Sequence, residues 1–223
     1  MLDPAAIRAL TFDCYGTLID WETGIQRYVA PHLERAAGGR ISLGQWFARW
    51  EAIQFDLLVP GRRYREILIE SFEETMRSFE LEVFADGGPG LAASLVDWQP
   101  FPDVVLLRRL ARRRRIGIIS NIDDALFAHT AGQLAAPLSL VVTAEEAGAY
   151  KPSRRPFEVA LERLGLPASA VLHVAFGWKY DLAPAHSLGM QTCWLNRSGV
   201  ARPETQPIVL EVASLAALVD LLP

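Results

Sequence analysis

Asp13 ends the apolar run "IRALTFD", and Ser120-Asn121, Lys151 and Asp181 stand at or beyond the ends of later apolar runs. A carboxylate in such a place is a candidate nucleophile, because it is ionised at neutral pH and forms a covalent ester. Lys151, in "AYKPSRRPF", is the cation that would protect that ionisation in a dry site. Gly16 and Thr17 suit a tight loop whose backbone N–H groups and hydroxyl hold an anion. Ser120 and Asn121 fall where an anionic substrate group or leaving group would sit. Asp181 is placed to position or activate a water. Each has a plainer alternative. Asp13 could be a turn acid, Asn121, Asp123 and Asp181 helix caps, and Lys151 a surface lysine before a proline. Their recurrence at successive strand ends is what argues for a site.

The elements that must position these residues are legible as a pattern. Short apolar runs at 7–13, 115–121, 138–144, 170–176 and 190–196 have the length of strands buried on both faces. Helical patterns at 102–113, 123–134, 154–165 and 181–188 separate the later ones. Such alternation predicts an α/β fold, a Rossmann-like parallel sheet with helices on both sides. "PIVLEV" reads as a further strand and "ASLAALVDLL" as a closing helix. Residues 18–98 break the rhythm. They read as amphipathic helices near 22–37, 43–57, 62–80 and 89–96, separated by "GGR", "VPG" and "DGGPG". The expected organisation is therefore a core of residues 1–17 and 99–223 with an all-helical cap of residues 18–98. In such sheets ligands bind beyond the carboxyl ends of the strands, so an insert leaving from the first strand would cover the site as a lid.

Bulk properties narrow the function classes. Of 223 residues, 51% are hydrophobic, ample for a packed core. A net charge of −4 leaves no basic footprint for nucleic acid. The basic run Arg112 to Arg115 reads as a solvated helix end. Two cysteines build no disulfide framework, which suits a reducing compartment. No apolar stretch reaches the roughly 18 residues of a membrane span, and the N-terminus carries no secretory pattern. The expectation is a cytoplasmic protein with no membrane partner.

The motifs "FDCYGTLID", "IISN", "AEEAGAYKP" and "HVAFGWKYDLAPAHSLGMQTCWLNR" resemble those of the haloacid dehalogenase superfamily, in particular its type II L-2-haloacid dehalogenase branch, over nearly the whole chain. The resemblance implies that Asp13 displaces halide from a short 2-haloacid with inversion, and that water then hydrolyses the enzyme ester. It implies catalytic roles for Lys151, Thr17 and Asp181, and substrate binding by Tyr15, Ser120, Asn121 and a cap arginine. Arg49, in "WFARWEAIQF", is that arginine, with Arg62, Arg63 and Arg65 as rivals. It also implies a dimer.

Two departures separate dehalogenation from phosphate transfer. Phosphatases of the superfamily carry an acid two residues after the nucleophile, where this chain has Tyr15, whose phenol is a poor acid at neutral pH. They take a Mg²⁺ ligand from the fourth motif, where this chain has Phe176. Halide displacement needs neither, so no cofactor and no metal are expected. Two alternatives stay open: a Mg²⁺-dependent phosphatase of a small ester, and a catalytically impaired binding protein. The segment Ala175-Phe176-Gly177 also lacks the serine and asparagine of well-known dehalogenases, so what orients the water is open. His173 reads as a satisfied residue of an apolar strand, and His186 as a packing or surface residue. The aromatics Trp46, Phe47, Trp50, Phe55 and Tyr64 read as packing of the helical lobe, with one or two of them left to line an apolar wall around the halogen.

Overall fold

A computed structural model describes residues 3–134, 136–202 and 210–222. Its centre is a six-stranded parallel sheet in the order β3-β2-β1-β4-β5-β6. The strands are β1 (Ala9–Phe12), β2 (Arg115–Ser120), β3 (Leu140–Thr143), β4 (Val171–Ala175), β5 (Gln191–Leu195) and β6 (Leu210–Val212). Residues 207–209 of the expected last strand lie outside the described residues. β1 and β4 are buried at every position, as a central parallel pair must be. The chain winds from β1 outward to β3, then returns to lay β4 on the other side of β1. The crevice beyond the carboxyl ends of β1 and β4 is thus the topological switch point where α/β sheets bind ligands.

After β1 the insert holds four helices: α1 (Trp21–Ala37), α2 (Leu43–Leu57), α3 (Tyr64–Ser78) and α4 (Gly87–Ser94). Asp20 begins this run as the N-cap of α1, its carboxylate accepting from Thr23 N at 3.2 Å. Ser42 and Gln45 form a reciprocal capping box on α2. The stripe Trp46, Trp50, Ile53 and Gln54 of α2 faces inward. The chain leaves and re-enters the sheet side by side: Asp20 N donates to Gln99 O and Phe101 N donates to Leu18 O. One apolar cluster runs from Leu10 and Phe12 of β1 through Leu18 and Ile19 to Trp46, Trp50 and Phe72 of the insert.

The remaining helices are α5 (Leu107–Leu110), α6 (Asp124–Ala131), α7 (Ala144–Ala147), α8 (Arg155–Leu164), α9 (Ala183–Ser187) and α10 (Leu215–Leu221). Two are shorter than the periodicity predicts. The segment at 102–113 opens as a 3₁₀ turn, Pro102–Leu106, before α5. The segment at 181–188 opens as a π-helical turn, Trp178–Leu182, before α9, whose second residue is Pro184; a proline removes one backbone donor there. The basic run is more than a solvated end. Arg114 donates to Leu222 O at 3.0 Å and Pro4 O at 3.1 Å, tying the two ends of the described chain together.

Candidate active site

The switch-point crevice holds a buried charge cluster. Lys151, 2% exposed, donates from Nζ to Asp13 Oδ1 at 2.8 Å, to Asp181 Oδ1 at 2.5 Å and to Ile119 O at 3.0 Å. Asp13 comes from the end of β1, Lys151 from the loop after α7, and Asp181 from the π-helical turn after β4. Thr17 donates to the other Asp13 oxygen, Oδ2, at 2.7 Å and accepts Phe176 N at 3.1 Å. Both Asp13 oxygens therefore accept a side-chain hydrogen bond.

Burial pushes the Asp13 carboxyl above its ordinary range, against the pull of Lys151. Burial pushes Asp181 up too, but Lys151 and His173 more than offset it, and its carboxyl lies below the ordinary range. Burial would lower the Lys151 ammonium; the two carboxylates outweigh it and hold the lysine charged.

The loop between Asp13 and α1 follows from Gly16. Its φ is +94°, and an added Cβ would lie 2.4 Å from the Phe176 ring, so the turn and the close approach both require glycine. Arg197 braces this loop from behind. It donates to Thr17 O at 3.1 and 3.2 Å and forms a two-pronged pair with Asp103 at 2.9 and 3.0 Å. Neither Arg197 nor Asp103 was evident from sequence; the signal is the arginine closing "CWLNR".

A cavity of about 90 Å³ opens onto the cluster. Asp13, Ser120, Lys151 and Asp181 form its polar end, and Trp21, Phe55, Leu58, Tyr64, Phe176 and Tyr180 its apolar walls. The insert contributes its share: Phe55 of α2 stacks on Tyr180 at 4.5 Å. Ser120 Oγ is buried with no hydrogen-bond partner among the described residues, an orphaned group beside Asp13. A larger cavity of about 560 Å³ lies beyond Trp21 and Phe176, but none of Asp13, Lys151 or Asp181 lines it, so the chemistry belongs to the smaller one.

The other expected residues divide. Tyr15 lines the cavity, but its hydroxyl is spent on Thr130 Oγ1 at 2.8 Å, and burial pushes the phenol far above its ordinary range. Asn121 also borders the cavity, yet its amide is committed to the backbone of Lys151. Oδ1 accepts Lys151 N at 2.7 Å and Nδ2 donates to Lys151 O at 3.0 Å. It sets the lysine loop rather than offering a free donor. Arg49 is not brought to the site. It lies on the exposed side of α2, where Nε reaches Ser78 Oγ at 3.4 Å, because the inward stripe is Trp46, Trp50, Ile53 and Gln54. Its rivals are engaged elsewhere: Arg62 pairs with Glu70, Arg63 with Glu145, and Arg65 is exposed. No arginine lines the cavity among the described residues.

Asp123 caps a different helix from the expected one. Its carboxylate accepts Tyr64 N at 2.6 Å and Arg65 N at 2.8 Å, so a core residue caps α3 of the insert. Tyr150 adds a bond from its hydroxyl to Arg62 O at 2.8 Å. Phe55 and Tyr64 line the cavity, whereas Trp46 and Trp50 are core, as their spacing predicts. His173 is buried and satisfied, as expected, but one of its partners is Asp181: Nε2 lies 3.2 Å from Asp181 Oδ1 and Nδ1 3.0 Å from Thr11 Oγ1.

The donor set does not suit a divalent cation. Among the described residues no three or more His, Cys, Asp or Glu side chains converge to hold one. The space between Asp13 and Asp181 is bridged by an ammonium, and the position beyond β4 carries the ring of Phe176. Among the described residues no helix is long and apolar enough to cross a membrane.

Comparison with known proteins gives the family. The chain is 30% identical over 228 residues to the (S)-2-haloacid dehalogenase of Pseudomonas sp. (strain YL), spanning 96% of this chain and 94% of that one. It is 26% identical over 230 residues to haloacetate dehalogenase H-2 of Moraxella sp. (strain B), spanning 95% and 99%. The L-2-haloacid dehalogenase of Xanthobacter autotrophicus, solved with chloropropionic acid covalently bound, shares the fold with a TM-score of 0.79 at 19% identity, over 96% of this chain and 98% of that one. The family model for haloacid dehalogenase-like hydrolases matches residues 7–189, and the chain belongs to that family.

Proposed function

We propose that the chain hydrolyses short 2-haloalkanoic acids through an ester on Asp13, without a metal. The observation that carries this reading is the Lys151 ammonium seated on both Asp13 and Asp181 at the end of a small, mostly apolar cavity. A cation in that place keeps a buried carboxylate ionised. An apolar wall suits a halogen-bearing carbon, and the volume suits a short acid. The relatives named above support the same reading.

In the first step an Asp13 oxygen attacks the halogen-bearing carbon. A C–O bond forms as the C–halogen bond breaks, the electron pair leaving with the halide. Neither proton nor Lewis acid is required, which fits the committed, poorly acidic phenol of Tyr15. Ser120, whose hydroxyl has no partner among the described residues, receives the substrate carboxylate. In the second step water attacks the Asp13 carbonyl carbon and Asp181 takes its proton. The ester C–O bond breaks, and the 2-hydroxy acid leaves with a proton. Overall, one water is consumed and one proton and one halide are released. Residues 18–98 act as the lid over this chemistry. A cytoplasmic location and a homodimer belong to the same proposal; sedimentation checks the latter.

The test is halide release from chloroacetate, fluoroacetate and L-2-chloropropionate in EDTA, with Asp13→Asn as control. Parallel samples follow phosphate release from p-nitrophenyl phosphate with Mg²⁺. Halide release that survives EDTA and vanishes in the variant supports the reading. Phosphate release that needs Mg²⁺, without halide, would overturn it.

A further inference from the structure

The proposed second step needs a carboxylate held in one orientation, and the fourth motif lacks polar residues at Ala175 and Phe176 to hold it. The group behind Asp181 is His173. It sits on β4 directly across from Thr11 of β1, with which it is in register. Its ring is fully buried and stands edge-on to Phe157, 5.1 Å between centroids. A carboxylate oxygen only accepts, so the 3.2 Å contact from Nε2 to Asp181 Oδ1 is a donation from the ring. Nδ1 then accepts the Thr11 hydroxyl at 3.0 Å, and every polar atom of the pair is satisfied. The ring is thus held at both nitrogens and packed against Phe157, which fixes the carboxylate oxygen it meets.

Both side-chain donors to Asp181, His173 and Lys151, land on the same oxygen, Oδ1. Oδ2 receives none among the described residues. It faces Gly177, a cavity residue, where an added Cβ would come within 3.1 Å of it. One oxygen is anchored and the other is presented to the cavity.

We infer that His173 is a positioning residue for hydrolysis of the Asp13 ester: it pins Asp181 Oδ1 so that Oδ2 takes the proton of the attacking water. This rests on the ester reading above. The first step makes no demand on Asp181 Oδ2, so the two half-reactions should respond differently to loss of His173. His173 also helps to hold the Asp181 carboxyl low; without it, the acid limb of ester hydrolysis moves to higher pH.

The experiment is rapid-quench halide release together with intact mass, on the wild type, His173→Leu, the double variant Thr11→Val/His173→Leu, and His173→Gln. The double variant removes the hydroxyl that the single one orphans, and so guards against simple misfolding. The glutamine amide reaches the place of Nε2 and is the conservative rescue. In the leucine variants we expect a normal single-turnover burst of halide, then steady-state turnover slowed about a hundredfold, the low end of what a positioned base supplies. The mass of the ester on Asp13 should persist, and the glutamine variant should recover most of the rate. A burst slowed as much as the steady state, with no ester accumulating, would overturn the inference and leave the ester reading intact. Absence of halide release from the wild type would overturn both.

Discussion

Lys151 holds two buried carboxylates on one ammonium, so its removal is felt in both stability and chemistry. In Lys151→Met the two acids face each other uncompensated. We expect a loss of about 3–5 kcal/mol of stability, read by denaturant unfolding, as for other broken buried pairs, and no halide release. In the proposed mechanism Asp13 must be ionised to attack, so the pH dependence of the first turnover reports it. Its carboxyl is raised by burial, so the protonated, inactive form persists to higher pH than for an ordinary aspartate. Burst amplitude or rate should fall as the pH drops, with a midpoint above the ordinary value of 3.8. Arg49→Ala should leave halide release unchanged, since Arg49 is exposed and away from the cavity. At this scale the convergence of Asp13, Thr17, Ser120, Lys151 and Asp181 on one crevice was legible, because reactive types at strand ends are few. Arg49 was misplaced because sequence sets the spacing of a helix but not its rotation about the neighbour that buries it. His173 was half-read, because a histidine in a buried strand has the same pattern whichever polar group it meets.

The elements that hold the site depend on two local devices. Gly16→Ala forces a side chain into positive φ and onto the Phe176 ring. We expect halide release to fall with little change in helix content, checked by kinetics and circular dichroism together. Asp123→Ala removes both bonds to the first turn of α3. Loss of a cap costs about 1–2 kcal/mol, and amide exchange at Tyr64 and Arg65 should quicken before that of the sheet. The strands and insert helices were readable because their apolar periods are strong. The cap of α3 was not, because its donor and acceptor are separated by 58 and 59 residues. The π-helical turn was missed because its wide bond, Leu182 N to Gly177 O at 3.2 Å, leaves no mark in the spacing of apolar residues.

Across the whole molecule, the apolar cluster joins sheet and insert without a break, and the two crossings are hydrogen-bonded to each other. Calorimetry should therefore give one cooperative transition; two separate transitions would show that residues 18–98 melt as an independent unit. The run of insert helices was legible as a change of period, but its continuity with the core was not, since sequence shows where helices begin and not what they share. The reach of Asp123 into α3 also bears on recombination. A chimera that exports this segment to another chain would leave that acceptor behind. Such a graft should thus keep the start of α3 ordered only when residue 123 travels with it.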